Sequence, residues 1–481
     1  MASDAERFAS ERRWAALAQA FGLVIAAGFA FFLSGVPIQV SDSLGNLISV
    51  QTSSWPKLLV DQFWSQAYFR PLLLAQTKAV LDLAGTQYFL AFRGLQVLQV
   101  ALAVWLFVRL LHVRTPVDWA AAIIAVAVLT GSHTFAGMIR EAYPINNYMT
   151  VALCCLVALN VLAEERPRWL TDILVVLCFV LAVGTIETGL IVWGCLFVGR
   201  LIGWRGVSMP AFATATVILA GYFAFRFFVL DVATPNLLER SSGYGFARLE
   251  PEQLNERFGA SPYAFYLYNI GSSIATILFS EPRAGVWMVT RQFRAGEVEP
   301  WMWVNVIAST TGTLLILWCV FRQRWWSNPR TWTHGQRLLV VAAAVIGANA
   351  AISFPYTKDQ IMSLGGVMYA AAVFAAVAAR LQLPPRATVA RVVTAVLVCV
   401  VSAAWSWRVI GLQHNLVHTA FTQRNDWAYT DLWIESHPES QRDPESAAMV
   451  QTLYQQALRR RVPNLHLDPL PFEHYFDHHT D

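Results

Sequence analysis

Residues 361–380 read IMSLGGVMYAAAVFAAVAAR, and no charge interrupts the run before Arg380 closes it. About 20 apolar residues cross a hydrocarbon core as one helix. An arginine at the end of such a run marks the face on which basic residues collect. The same pattern recurs along the chain. Of its 481 residues 56% are hydrophobic and 14% charged, more apolar surface than a soluble fold of this length hides. A transmembrane β-barrel would show short alternating segments instead. The chain is therefore expected to be an all-α polytopic membrane protein. Its net charge of +4 carries no nucleic-acid signature.

Apolar runs place about eleven spans, near 14–36, 88–111, 118–134, 145–163, 169–186, 188–203, 209–230, 301–321, 337–354, 361–380 and 390–411. The first run is too long for a signal-peptide core and is read as a retained helix. Lys57, Lys78 and Lys358 are the only lysines, so arginine sets the topology. Arg12 and Arg13 precede the first span. Arg109 and Arg114, Arg166 and Arg168, Arg200 and Arg205, Arg322 to Arg330, and Arg380 to Arg391 follow every second one. All of these can face the cytoplasm together, with the N-terminus inside and the tail outside. Tyr263–Ser280 is apolar enough to be a further span, but that would put Arg322–Arg330 outside. An interfacial or re-entrant helix is expected there. All six cysteines fall inside apolar runs and read as packing thiols rather than a disulfide framework.

The expected organisation is a catalytic transmembrane module at 1–230, a large outer loop at 231–300, four further spans at 301–411 and a short outer tail at 412–481. The first outer loop, 38–87, mixes polar residues with Trp55, Phe63, Trp64, Tyr68 and Phe69, as helices lying on a membrane surface do.

The outer ends of the spans hold a recurring polar set. Asp42 follows span one; Arg70 lies in the first outer loop; Arg93 is just inside span two. His133, Arg140 and Glu141 fall between spans three and four, Glu187 between five and six, and Lys358 with Asp359 between nine and ten. Ionisable groups at membrane depth are costly, so each needs a partner or a task. Plain alternatives exist. Asp42 within Ser41-Asp42-Ser43 has N-cap chemistry, and Arg70 can snorkel to headgroups. Arg93 can pair with Glu187 as scaffolding, His133 can be a satisfied interfacial histidine, and Arg140–Glu141 and Lys358–Asp359 can be solvated pairs. Shared sidedness favours a common task. Glycosyl transfer passes through an oxocarbenium-like centre, wants a carboxylate base for the acceptor hydroxyl, and wants cations on the leaving phosphate. Asp42 suits the base; Arg70, Arg140 or Lys358 suit the phosphate.

The motif Phe69-Arg70-Pro71-Leu72 resembles the Tyr/Phe-Arg-Pro-Leu signature of the GT-C membrane glycosyltransferases, in their O-mannosyltransferase-like branch. Asp42 is similar to the acidic residue of that family's first outer loop, Arg93 to the arginine entering its second span, and His133 and Glu141 to a histidine and an acid near its second outer loop. Ile186-Glu187 stands where the family has Lys-Glu, so the lysine is missing. The resemblance covers roughly residues 14–230, and the 34-residue repeats of the tetratricopeptide-bearing members are not present after the last span. It implies a polyprenyl-phosphate (undecaprenyl-phosphate) sugar donor, inverting hexosyl or pentosyl transfer at an extracytoplasmic site, and a lipid, glycan or protein acceptor. It implies roles too: Asp42 as base with Glu141 orienting substrate, and Arg70, His133, Arg140 and Lys358 on the lipid phosphate. Arg93, Glu187 and Asp359 then act as support. Members differ on metal use. The first loop lacks an Asp-x-Asp or Asp-Glu pair, so no metal is expected, a divalent ion being the alternative. His466, His474, His478 and His479 lack zinc-site spacing and read as a solvated terminus. Composition suggests a bacterial inner membrane. A transporter or flippase, or a non-catalytic scaffold on the same fold, are the competing functions.

Overall fold

The computed structural model describes residues 4–34, 43–64, 69–85, 88–140, 147–231, 251–259, 262–280, 285–323, 332–357, 359–382 and 388–422, with isolated positions between 435 and 455. Among these the fold is helical throughout. In chain order the helices are α1 (Asp4–Ser34), α2 (Ser43–Thr52), α3 (Trp55–Phe63), α4 (Leu73–Ala84), α5 (Tyr88–Leu110), α6 (Pro116–Thr130), α7 (His133–Arg140), α8 (Asn147–Leu162) and α9 (Trp169–Thr185). They continue as α10 (Leu190–Leu201), α11 (Met209–Ala224), α12 (Pro251–Phe258), α13 (Tyr263–Ala275), α14 (Gly285–Ala295), α15 (Pro300–Gln323), α16 (His334–Ile352), α17 (Ser363–Gln382) and α18 (Thr388–Thr422). Among the described residues, six helical segments are long and apolar enough to cross a membrane, or seven if α6 and α7 count as one bent span. Helices α8 and α9 and the stretch Val398–Gln413 of α18 are apolar but shorter.

Helix α17, built on the apolar run at 361–380, is the centre of the bundle. Every residue from Ser363 to Ala378 is buried, and α6, α7, α15 and α16 pack around it. Its alanines and glycines explain this: without a driving force from water, membrane helices associate by close backbone approach over small residues. Gly366 lies against Thr134 of α7 so closely that a Cβ there would collide with the threonine hydroxyl. The outer helices show the reverse pattern. On α9, Trp169, Leu170, Ile173, Leu174 and Leu177 form an exposed apolar stripe at helical spacing, the surface a bilayer would cover.

The third expected span is two helices, not one. α6 stops at Thr130, and α7 leaves at 60°. Ser132 makes the corner. Its hydroxyl accepts the Phe135 N–H at 3.2 Å and donates to the Leu129 carbonyl at 2.9 Å, capping the new helix while satisfying the old one. Gly131 permits it, because a Cβ would sit 2.9 Å from the Trp405 carbonyl of α18. Tyr263–Ser280 is α13 running into a π-helical turn, Thr276–Ser280, packed on α15 and α16; it is outside the helices long enough to span.

One end of the bundle is tied by contacts among the arginine-bearing helix ends. Arg109 pairs with Glu164 at 3.3 Å. His334 Nε2 lies 2.7 Å from the Leu110 carbonyl. Gln382 donates to Asp118 at 3.2 Å, and the Ser208 N–H donates to Asp172 at 3.0 Å. The opposite ends of these helices, carrying Arg93, His133, Glu187, Arg226 and Asp359, form the other end. All six cysteines are free thiols; Cys154, Cys155, Cys195 and Cys319 are buried as expected, Cys178 is half-buried, and Cys399 is exposed on α18.

Candidate functional site

The segment Phe69-Arg70-Pro71-Leu72 enters α4 and is docked on the turn between α9 and α10. The Leu72 N–H donates to the Gly184 carbonyl at 2.8 Å. Gly184 allows the close approach, since a Cβ there would lie 2.9 Å from the Leu72 side chain and force it to shift. Gln76, one turn on, donates to Thr185 Oγ1 at 2.7 Å. Behind the segment, α2, α3 and α4 are held as one unit. The buried Lys78 donates to the Val50 carbonyl at 3.0 Å and pairs with Asp82, and Trp55 donates its indole N–H to Asp82 at 2.8 Å.

This docking brings Arg70 to Glu187. The short 3₁₀ turn Glu187–Gly189 presents the carboxylate, and Arg70 meets one of its oxygens twice, Nη2 at 2.6 Å and Nε at 3.0 Å. The other oxygen accepts from Arg226 Nη1 at 3.2 Å. Arg226 also donates to the Tyr222 hydroxyl at 3.0 Å. The side chains are 25% (Arg70), 18% (Glu187) and 14% (Arg226) exposed, so the site is half-buried yet reachable. Burial alone pushes the Glu187 carboxyl up; the Arg70 guanidinium, with smaller help from the backbone and Arg226, outweighs it and holds the group below the usual carboxylate range, as a close opposite charge does. One anion thus serves two cations. Next to it, the Thr188 hydroxyl is buried without a hydrogen-bond partner among the described residues.

Arg226 lies in the π-helical turn that ends α11, Phe225–Val229, a one-residue widening that recurs at functional sites. An aromatic wall closes one side: Phe69 packs on Phe225 at 5.0 Å and on Tyr222 at 5.3 Å, and Phe63 on Phe225 at 4.6 Å.

The expected Arg93–Glu187 pair does not form. Glu187 is committed to Arg70 and Arg226, while Arg93 donates to Gln96 on its own helix, and Gln96 donates to the Ile139 carbonyl at 3.2 Å. The reason is the docking of residues 69–72, which places a nearer guanidinium on the turn. His133 is buried and begins α7, its Nε2 3.4 Å from Asn305 Nδ2. Asp359 packs beside Gly137 of the same helix. Arg140 ends α7. Asp42, Glu141 and Lys358, the side chain of Arg140 and the tail histidines lie outside the described residues. The structure therefore gathers Arg70 with Glu187, and His133 with Asp359's turn, at the same end of the bundle.

Sequence reasoning missed Arg226, Tyr222 and Arg408. The first two stand four apart inside the seventh apolar run, where a charge is itself a signal. Arg408, inside the last run, is fully buried; it donates to Ser309 at 3.0 Å and stacks 4.0 Å over the Trp405 ring beside the α6–α7 corner. With Asn305, Ser309 and Thr313 on one face of α15, it forms a polar column running into the bundle from His133. Among the described residues, no three His, Cys, Asp or Glu side chains converge as a metal site would need. No family model, curated protein or solved structure matches this chain.

Proposed function

We propose that this protein is an integral-membrane glycosyltransferase of the GT-C kind, taking a sugar from a polyprenyl-phosphate donor on the extracytoplasmic face of a bacterial inner membrane. In this reading the chain crosses eleven times, with the N-terminus inside and the tail outside. The observation that supports it is the Arg70–Glu187–Arg226 cluster. Two guanidiniums stand in a half-buried, aromatic-walled recess at the end of the bundle away from the arginine-rich helix ends, seated there by the Phe-Arg-Pro-Leu segment. Planar forks of this type suit phosphate oxygens, and their value rises where water is scarce.

The reaction assigned to the site is a single displacement. Asp42 takes the proton of the acceptor hydroxyl; the oxygen attacks the anomeric carbon from the face opposite the phosphate; the bond to the lipid-phosphate oxygen breaks, and the charge left there falls on Arg70 and Arg226. Inversion follows from one displacement. Arg140, Lys358 and His133 assist at the phosphate, and Glu141 orients the acceptor or donor. Arg93 and Asp359 brace the helices that carry them. No metal is assigned.

The test is mass spectrometry of the lipid that co-purifies, followed by a transfer assay with that donor. Asp42→Asn is expected to abolish transfer with expression and thermal stability intact; transfer at the wild-type rate by that variant overturns the assignment.

A second reading, transport or flipping of a lipid-linked or other polar substrate, is favoured by the α6–α7 break and the buried polar column at Asn305, Ser309 and Arg408, since discontinuous helices line the sites of transporters. Substrate movement into proteoliposomes without a covalent product would establish it.

A further inference from the structure

Glu187 is shared unevenly. Arg70 holds it through two short contacts to one oxygen, whereas Arg226 has a single contact of 3.2 Å to the other. Arg226 is also flanked by exposed apolar side chains. Its guanidinium lies 5.8 Å from the ring of Phe227, which stacks on Phe223 at 6.0 Å, and both rings are exposed with Phe228 and Val229. A ligand with a phosphate head and an apolar tail lying along that face has its head beside Arg226. Among the described residues the cluster carries two positive charges, Arg70 and Arg226, and one negative, Glu187.

We propose that Glu187 is a displaceable internal counter-ion, holding Arg226 in wait for the phosphate of a lipid-linked ligand, which takes Glu187's place on Arg226 while Arg70 keeps the carboxylate and adds its charge beside the phosphate. The proposal rests on the reading of this cluster as the lipid-phosphate site. Because the carboxylate competes with the ligand for one guanidinium, it lowers affinity and makes the site selective for strong oxyanions over neutral or weakly charged heads. Displacement requires no bond to be made or broken; only hydrogen bonds change partner.

The experiment measures binding to the full chain in nanodiscs, by native mass spectrometry and competition. The probes are a short-chain polyprenyl phosphate, the matching polyprenol, phosphatidic acid and inorganic phosphate. Arg226→Gln is expected to weaken polyprenyl-phosphate binding at least tenfold and to leave polyprenol binding as it was. Glu187→Gln is expected to tighten polyprenyl-phosphate binding by about tenfold, the scale of removing one charge at contact distance in a dielectric between water and a protein interior. Glu187→Asp, which keeps the charge but draws it back, should fall between. Equal weakening by Glu187→Gln and Arg226→Gln, or failure of both Glu187 variants to fold, overturns the proposal, since Glu187 would then be a strut that the arginines need. Inorganic phosphate competing as well as the lipid overturns the role of the apolar face. If phosphatidic acid and polyprenyl phosphate respond alike to the variants, the counter-ion stands while the glycosyltransferase reading loses its donor preference.

Discussion

Removing Arg70 and Glu187 separately and together should expose how much the docked motif owes to their pairing. The two contacts, 2.6 and 3.0 Å, are charge-assisted and geometrically good, which in an aqueous protein argues for about 1.5–3 kcal/mol. Two things reduce this. Both side chains keep part of their water, at 25% and 18% exposed, and exposed ion pairs fall to roughly 0.2–1 kcal/mol. Interhelical polar contacts in membranes average about 0.6 kcal/mol and reach about 1.7 kcal/mol. In addition, Arg70→Gln leaves Glu187 with Arg226, so the carboxylate is not orphaned. The expected coupling for Arg70–Glu187 is therefore about 1 kcal/mol, inside the range for interhelical polar contacts in membranes. Arg226–Glu187 has one contact of 3.2 Å. Its expected coupling is about 0.5 kcal/mol, as for a single partly solvated ion pair. Equilibrium unfolding of micelle-solubilised protein by SDS titration, run on wild type, each single variant and the double variants, measures both. A coupling for the first pair under about 0.3 kcal/mol, the scatter of independent sites, refutes the reasoning. So does a larger coupling for the second pair than for the first. Glu187→Gln is expected to cost stability here while tightening phosphate binding, and that opposition of signs separates a counter-ion from a strut.

At the other end of the bundle, burial, with Arg114 and Arg109 close by, lowers the pKa of His112 from 6.5 to about 4. The unfolded chain therefore binds a proton that the folded one refuses, so stability is full above pH 6.5 and declines as pH falls towards 4, by up to about 3 kcal/mol. His112→Asn should weaken that dependence in thermal-shift measurements without abolishing it, since His334 stacks on the same ring at 4.0 Å; asparagine tolerates the left-handed backbone that His112 adopts at a φ of 53°. Gly184→Val should lift Leu72 from its seat, costing about 1–3 kcal/mol and reducing lipid-phosphate binding in the nanodisc assay; unchanged binding would detach the motif from the site. Gly366→Val should cost at least as much through the Thr134 contact, read as loss of folded yield. A reporter fused after Gln413 should be active outside the cell; a cytoplasmic signal removes the eleven-span topology.

Hydropathy placed eleven spans, of which six, or seven with the bent α6–α7 pair, are helices long and apolar enough to cross among the described residues, because a bilayer imposes one length and one composition on whatever crosses it. It did not reveal the corner at Gly131-Ser132: both flanks are apolar, and the break is made by one hydroxyl and by a distant carbonyl at Trp405. Arg70 and Glu187 were both legible as candidates, one for the phosphate and one as support, but their pairing was not, since 117 residues separate them and the docking of Leu72 on Gly184 brings them together. Arg226 was hidden for a different reason. A lone arginine near the end of a span looks like a snorkelling anchor; the π-turn that carries it leaves no mark in a composition window. His133 and Asp359 were expected at one face, and both stand at one end beside α7.

Helix α17 has no side left for lipid from Ser363 to Ala378, and that bears on how the protein is made. It is the last but one of the described helices, followed by α18. Helices entering a membrane in chain order put α6, α7, α15 and α16 in place before the helix they all pack around. Assembly thus runs from the rim inwards. A chain cut short ahead of Ser363 would lose its middle instead of its edge, and quality control would meet a ring without a hub.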